Sequence, residues 1–272
     1  MSTLPIPPPT ISTPRLHLIR LTDTTPGSQH VQWFHEDWSD PIATGWRYRA
    51  NIPHPSHYCV RTWPIPMLLA LKCQSLHGAT KTLEESRTWM VHHLEVYDNW
   101  FYAIFLHDDS APDGPGTHIG SVSLRRMERG PELLPPASFD GAEEVGTGAP
   151  LSANEVLERE AFWASKGLNL RVLGYALFGS AHGKGYATEA CKALLDSYKA
   201  SVETWKGGEE GRKDDGKTAF YVEAGVDQEN PGSQKVLKKL GFRTVGLKIE
   251  KEKAWLNGGW RGPGWWITGM YI

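Results

Sequence analysis

The stretch Leu173 to Ala190, LGYALFGSAHGKGYATEA, constrains this chain more than any other. Val172–Phe178 is apolar and aromatic, as a buried strand is. From Gly185 to Lys199 a helix is expected, with Ala187, Ala190, Cys191, Leu194 and Tyr198 on one apolar face. A strand, a glycine turn and a helix in immediate succession make an α/β unit. Gly183 and Gly185 have no Cβ, so the backbone there can turn tightly and come close to a ligand. The helix N-terminus offers unpaired N–H groups and a positive dipole end, which suit a phosphate. A lone GxG before a helix also serves backbone geometry alone. The Lys-Ser/Thr of a P-loop is missing after the second glycine, and Thr188 stands where a dinucleotide fingerprint has its third glycine. Phosphate binding without nucleotide-triphosphate chemistry is what remains.

A second block, YVEAGVDQENPGSQKVLKKLGFRTVG, runs from Tyr221 to Gly246. Asn230 is suited to an N-cap and Pro231 to the first helical position. Val236, Leu237 and Leu240 form an apolar stripe, and Gly241 ends the helix. Alone, this is a well-capped helix, Pro231–Leu240, between two strands.

Together the two blocks are specific. His182, Gly185 and Ala187 resemble the Q/R-x-x-G-x-G/A acetyl-CoA signature of the GNAT acetyltransferase superfamily, with His182 replacing the usual Gln or Arg. Asn230, Ser233, Leu237, Gly241 and Phe242 resemble the N-x-x-S-x-x-x-L-x-x-x-G-F block of its ribosomal-protein N-acetyltransferase type. TPRL at residues 13–16, IGSVSL at 119–124 and VEAGV at 222–226 fit other strands of that group. The resemblance is strong over 170–249, weaker over 13–22 and 100–126, and absent from two insertions. It implies an α/β GNAT fold: a mixed sheet of about seven strands, a V-shaped splay between the fourth and fifth, and helices on both faces. It also implies acetyl-CoA as co-substrate. The amides of His182, Gly183, Lys184, Gly185, Tyr186, Ala187 and Thr188 would hold the pyrophosphate. Leu177, Phe178 and Gly179 would supply the backbone donor and pair with the pantetheine arm, with Asn230 and Ser233 on the other side.

For catalysis, Glu223 resembles the strand carboxylate that acts as base through water in some members; a solvent-facing strand residue or a salt-bridge partner is the bland alternative. Glu189 sits in a helix's first turn, where a carboxylate chiefly complements the dipole. The tyrosine that many members carry four residues before Gly-Phe is Leu237 here, so Ser233 is the substitute acid, or else a first-turn hydroxyl only. Positioning alone, with water carrying protons, is a further option. The acceptor groove of the superfamily lies between the early helices and the last hairpin. Trp46, Trp63, Trp260 and Trp265 would give it aromatic walls suited to an apolar or aromatic amine or a peptide N-terminus; ordinary core packing also uses tryptophan.

The rest of the chain is read more coarsely. Residues 1–13, with Pro5, Pro7, Pro8 and Pro9, are expected as a loose tail before one domain over 14–272 with insertions at about 39–80 and 128–168. Strands are expected at Arg15–Leu21, Trp100–Leu106 and His118–Arg126, and helices at Ser28–Trp38 and Thr82–Tyr97, the latter with a Thr82–Glu85 capping box. Gly207–Gly216 is expected as a mobile loop, and Asn257-Gly258 as the turn between the last two strands. Cys59, Cys73 and Cys191 show no paired spacing, and neither His92/His93 nor His54/His57 has a third ligand, so neither a disulfide framework nor a metal is expected. A net charge of −2 does not point to nucleic acid or an anionic membrane as partner. With no signal peptide or apolar span, a cytoplasmic protein, monomer or homodimer, is expected. The competing readings are a catalytically weak acyl-CoA-binding module serving protein contacts, and transfer of a longer acyl chain.

Overall fold

The computed structural model describes residues 5–46, 80–108, 114–127, 130–214, 216–250, 253–262 and 264–272. Trp63, Cys59, Cys73, His54, His57 and most of the first insertion lie outside them. The strands are β1 (Thr10–Ser12), β2 (Leu16–Arg20), β3 (Trp100–Leu106), β4 (Thr117–Arg126), β5 (Gly167–Leu177), β6 (Thr218–Asp227), β7 (Arg243–Lys248), β8 (Ala254–Leu256), β9 (Gly259–Arg261) and β10 (Trp265–Tyr271). The helices are α1 (Gln29–Ser39), α2 (Leu83–Glu95), α3 (Ala153–Trp163), α4 (Tyr186–Gly207), α5 (Glu209–Asp214) and α6 (Pro231–Lys239). No helix among the described residues is long and apolar enough to cross a membrane.

Eight strands form one mixed sheet in the order β1-β2-β3-β4-β5-β6-β10-β7. Side chains alternate between its faces. On one face Trp100, Tyr102, Val122, Leu173 and Val222 pack against Ala190, Cys191, Leu194 and Tyr198 of α4 and Leu237 of α6. On the other, Phe101, Ala103 and Phe105 meet Val31 and Phe34 of α1 and Met90 of α2. Farther along that second face, Leu170, Tyr221, Val245 and Ile267 lie under Leu133 and Phe139 of the second insertion. Each buried Val, Leu, Ile, Phe or Met among them contributes about 1.5–3 kcal/mol by leaving water. The layers are therefore set by two alternating apolar patterns on each strand.

Helix starts follow local chemistry. Ser28 accepts from Val31 N, Thr82 from Glu85 N, and Asn230 from Ser233 N, while Ser152 and Glu155 form a full capping box at α3. The Thr82 box is only half formed, because Glu85 turns its carboxylate to Lys81 N at 2.7 Å.

Three expectations need correction. The Pro-rich start is not loose throughout: Thr10 pairs with Ile19 and Ser12 with His17, giving an eighth, edge strand. Proline lacks an N–H but keeps its carbonyl, and Pro9 O accepts from Arg20 N (2.9 Å) while Pro8 O accepts from the Tyr102 hydroxyl (2.6 Å). The segment after Gly208 is not a loop throughout, since Glu209–Asp214 forms α5 and Asp214 holds the Thr218 amide at 2.8 Å. Asn257-Gly258 does turn a hairpin, both residues at positive φ, but it joins the separate pair β8–β9. The last strand, β10, inserts between β6 and β7.

The opening that matters lies at β5. It pairs in parallel with β6 from Gly167↔Thr218 to Val172↔Glu223 and no farther. Beyond that rung β5 continues along β4 to Leu177, and β6 along β10 to Asp227. This is the expected V-shaped splay. Ile119 is an extra residue on β4, between the pairs Ile104↔Gly120 and Phe105↔His118. A bulge bends the strand that carries it, here at the far end of the opening, beside the end of β5.

Candidate functional site

At the end of β5 the chain makes a 3₁₀ turn, Gly179–Ala181, and enters α4 through His182–Gly185. Gly183 and Gly185 have φ of 75° and 83°, a region costly for other residues. A Cβ on Gly183 would meet nothing within 4 Å, so conformation rather than crowding requires glycine there. Gly185 is the N-cap of α4 and brings no capping side chain, and Glu189 N is already bonded to Gly185 O at 3.1 Å. The amides of Tyr186, Ala187 and Thr188 therefore open the helix toward an anion.

His182 donates its amide to Gly179 O at 3.2 Å, within the 3₁₀ turn. Its Nε2 donates to Leu177 O at 2.9 Å, tying the turn to the end of β5. Arg15, from the TPRL motif, stands beside the turn: its guanidinium bonds Lys184 O (3.2 Å), pairs with Glu189 (2.5 Å) and lies 4.7 Å from the Tyr186 ring centroid. Partial burial works against the Glu189 charge, but hydrogen bonds from Thr13 and Arg15 and the Arg15 charge hold its carboxyl below the ordinary value. Glu189 is thus engaged in the scaffold and unsuited to act as a base.

Which amides face the gap follows from the ladder. Phe178 N donates to Ile119 O (2.9 Å) and Leu170 O accepts from Met127 N (3.0 Å), so the even-numbered residues of β5 turn their backbone groups to β4. Leu173, Tyr175 and Leu177 turn theirs to the gap. Of the three residues expected to supply the backbone donor, Leu177 fits, Phe178 is spent on β4, and Gly179 begins the turn. Tyr175 is an addition that no motif announced.

Glu223 sits on the last paired rung of the splay. It is 2% exposed, which removes the solvent-facing alternative. Its carboxylate accepts from Glu132 N at 3.1 Å. Among the described residues no cation pairs with it, Lys248 being paired with Glu132 and Glu250. Burial pushes the Glu223 carboxyl up to about 8, against the opposing effects of the Glu132 and Leu133 amides and the Lys248 charge. Across the gap, Ser233 is in the first turn of α6; its amide is held by the Asn230 side chain (3.1 Å), and its carbonyl lies 3.4 Å from the Tyr175 hydroxyl. Leu237, where a tyrosine is usual, is 1% exposed in the core.

The tryptophans divide. Asn257 N donates to Gly45 O at 2.7 Å, and Arg261 lies 5.1 Å from the Trp46 ring centroid, so residues 45–46 rest on the β8–β9 hairpin. Ile42, on the same segment, abuts Gly179 at the end of β5. The segment thus spans the open end of the splay. Trp265 on β10 borders Gly225, one strand from the gap. Trp260 is 60% exposed and packs edge-on against Trp255 on the hairpin, apart from Trp265 on β10.

Among curated proteins, no sequence matches significantly. Solved structures that resemble the chain include a GNAT-family acetyltransferase from Bacillus anthracis, 14% identical over 96% of this chain and 98% of that one, with a TM-score of 0.46. Another is spermidine N-acetyltransferase from Vibrio cholerae in complex with CoA and spermine, 11% identical over 94% and 95%, TM-score 0.49. A third is Mycobacterium smegmatis RimJ in complex with CoA-disulfide, 14% identical over 94% and 82%, TM-score 0.48. The family model of the acetyltransferase (GNAT) domain matches residues 71–243, more than half the sequence and the part that carries the splay, the glycine turn and α6. The chain belongs to the GNAT acetyltransferase family.

Proposed function

We propose that the protein transfers the acetyl group of acetyl-CoA directly to a primary amine, on a small molecule or at a peptide N-terminus. The observation that carries this is the placement of Glu223 on the rung where β5 and β6 part, with β5 leading straight into an amide-rich turn. The amides from Gly183 to Thr188 suit the pyrophosphate, and the gap-facing amides of Leu173, Tyr175 and Leu177 suit the pantetheine arm and the thioester oxygen. Asn230 and Ser233 form the facing wall. Glu223, with a carboxyl near 8, takes the proton that the amine gives up as it attacks, directly or through a water. The N–C bond forms, the C–S bond breaks, and a proton joins the sulfur.

Trp46 and Trp265 support an acceptor with apolar or aromatic surface, Trp260 being available to a larger one that reaches the hairpin. The test is calorimetric titration with acetyl-CoA and CoA, followed by a primary-amine panel scored by free thiol release. Saturable micromolar binding is expected. Gly185→Val puts a β-branched residue at φ 83°, and the α4 amides turn away from the anion. At roughly 2 kcal/mol of strain and lost contacts, CoA affinity falls about thirtyfold in a protein that still melts cooperatively. Failure of the unaltered protein to bind acetyl-CoA at millimolar concentration overturns the reading.

A further inference from the structure

The departing sulfur carries a developing negative charge that calls for a hydrogen-bond donor, and α6 offers no side chain for it at Leu237, which is sealed in the core. A phenol reaches the same gap from the opposite wall. Tyr175 is on β5, three residues past the last rung shared with β6, and pairs with Val122 of β4. Strand alternation sends its side chain to the face of α4 and α6, where it packs against the main core cluster. Its hydroxyl ends 3.4 Å from Ser233 O in the first turn of α6. The ring thus crosses from β5 to α6 beneath the opening of the splay. That hydrogen bond is long, and a first-turn carbonyl keeps its helical partner without it, so the hydroxyl can exchange its acceptor at little cost.

We propose that the Tyr175 hydroxyl is the hydrogen-bond donor that stabilises the departing CoA thiolate, a tyrosine delivered from the sheet where α6 offers none. As the tetrahedral intermediate collapses, the C–S electron pair goes to sulfur, and the phenol O–H hydrogen-bonds the CoA thiolate that forms while keeping its own proton. The amine's proton goes to Glu223, and the thiolate takes its proton from solvent as CoA leaves. No oxidant or metal enters the balance. Burial holds the Tyr175 phenol above its ordinary value, so it keeps its hydrogen and remains a donor throughout the reaction. Ser233, the acid suggested by sequence, then has a supporting part: its carbonyl parks the phenol between turnovers.

This inference rests on the gap being the CoA channel, and CoA alone is the probe that tests it, with no acceptor required. The ultraviolet absorbance of the thiolate is followed against pH in the complex. A hydroxyl that donates to sulfur stabilises the thiolate, so bound CoA is expected to ionise below the ordinary thiol value of about 8.5. Tyr175→Phe keeps the ring and the packing. It should raise the bound thiol by roughly one unit while CoA affinity stays within about threefold. Tyr198→Phe is the control, a buried phenol bonded to Asn169 and away from the gap, and should move nothing. An unchanged titration in Tyr175→Phe overturns the proposal, as does an equal shift in Tyr198→Phe. A tenfold or greater loss of CoA affinity in Tyr175→Phe also overturns it, making Tyr175 a channel wall. No binding of CoA by the unaltered protein overturns the channel itself, and this inference with it.

Discussion

Glu223→Gln is expected to lower the acetyl-transfer rate by about 10²–10⁴-fold, the usual range for loss of a general base, and to make the protein more stable above neutral pH. The two effects have one cause. Glu223 is 2% exposed, and burial lifts its carboxyl to about 8 from an ordinary value near 4.5. The native state therefore holds this proton more tightly than the unfolded chain does. Its contribution to stability is complete below about 4.5, declines as the pH rises, and is lost through about 8. Glutamine stays neutral, and its amide oxygen can still accept from Glu132 N. Near pH 9 the variant should exceed the native protein by a few kcal/mol, on the order of 5–10 °C in Tm for a chain of this size, and near pH 4 the two should melt together. The native rate should climb as Glu223 ionises toward pH 8, and that limb should be missing in the variant. Melts and rate profiles over the same pH range separate the possibilities. A stabilised variant with an unchanged rate would mean that Glu223 serves only to seat the Glu132–Leu133 segment on the sheet.

Gly120→Ala is expected to cost about 3 kcal/mol or more, roughly 10 °C in Tm. Gly120 has φ 140°, and a Cβ there would stand 2.2 Å from Ala176 O and 2.7 Å from Leu177 Cα. Those are backbone atoms, with no side-chain end to swing aside. Relief requires β5 to move where its gap-facing Leu177 amide is placed, so any variant that folds should also bind CoA more weakly. Gly27→Ala supplies the comparison: φ is 77° but nothing lies within 4 Å of the added carbon, and only strain of about 1 kcal/mol is expected. Equal losses in thermal melts of the two variants would show that the β4–β5 approach is not tight.

Several elements were legible because their causes are local. Ser28, Thr82 and Asn230-Pro231 start helices through bonds that span three or four residues. Gly183 and Gly185 mark the turn because only glycine takes their backbone angles cheaply. The order of the two motifs along the chain carried the family. Proline and glycine content misled at Thr10–Ser12 and Glu209–Asp214, where the expectation was no regular structure. In the first case an edge partner, β2, required only carbonyls from the prolines.

The candidate site itself divides the same way. By itself the sequence determined which residues could bind a phosphate, where the helices begin, and that a carboxylate lies on the strand after the turn; each depends on side chains within a few positions. Tertiary structure alone decided that β5 and β6 part at Val172 and Glu223, that Phe178 spends its amide on β4, and that the Tyr175 phenol reaches α6. It also decided that Glu223 is dry, because the segment covering it comes from 91 positions away in the chain. Pairing register and desolvation are properties of surfaces brought together from distant parts of the chain, and no local preference encodes them.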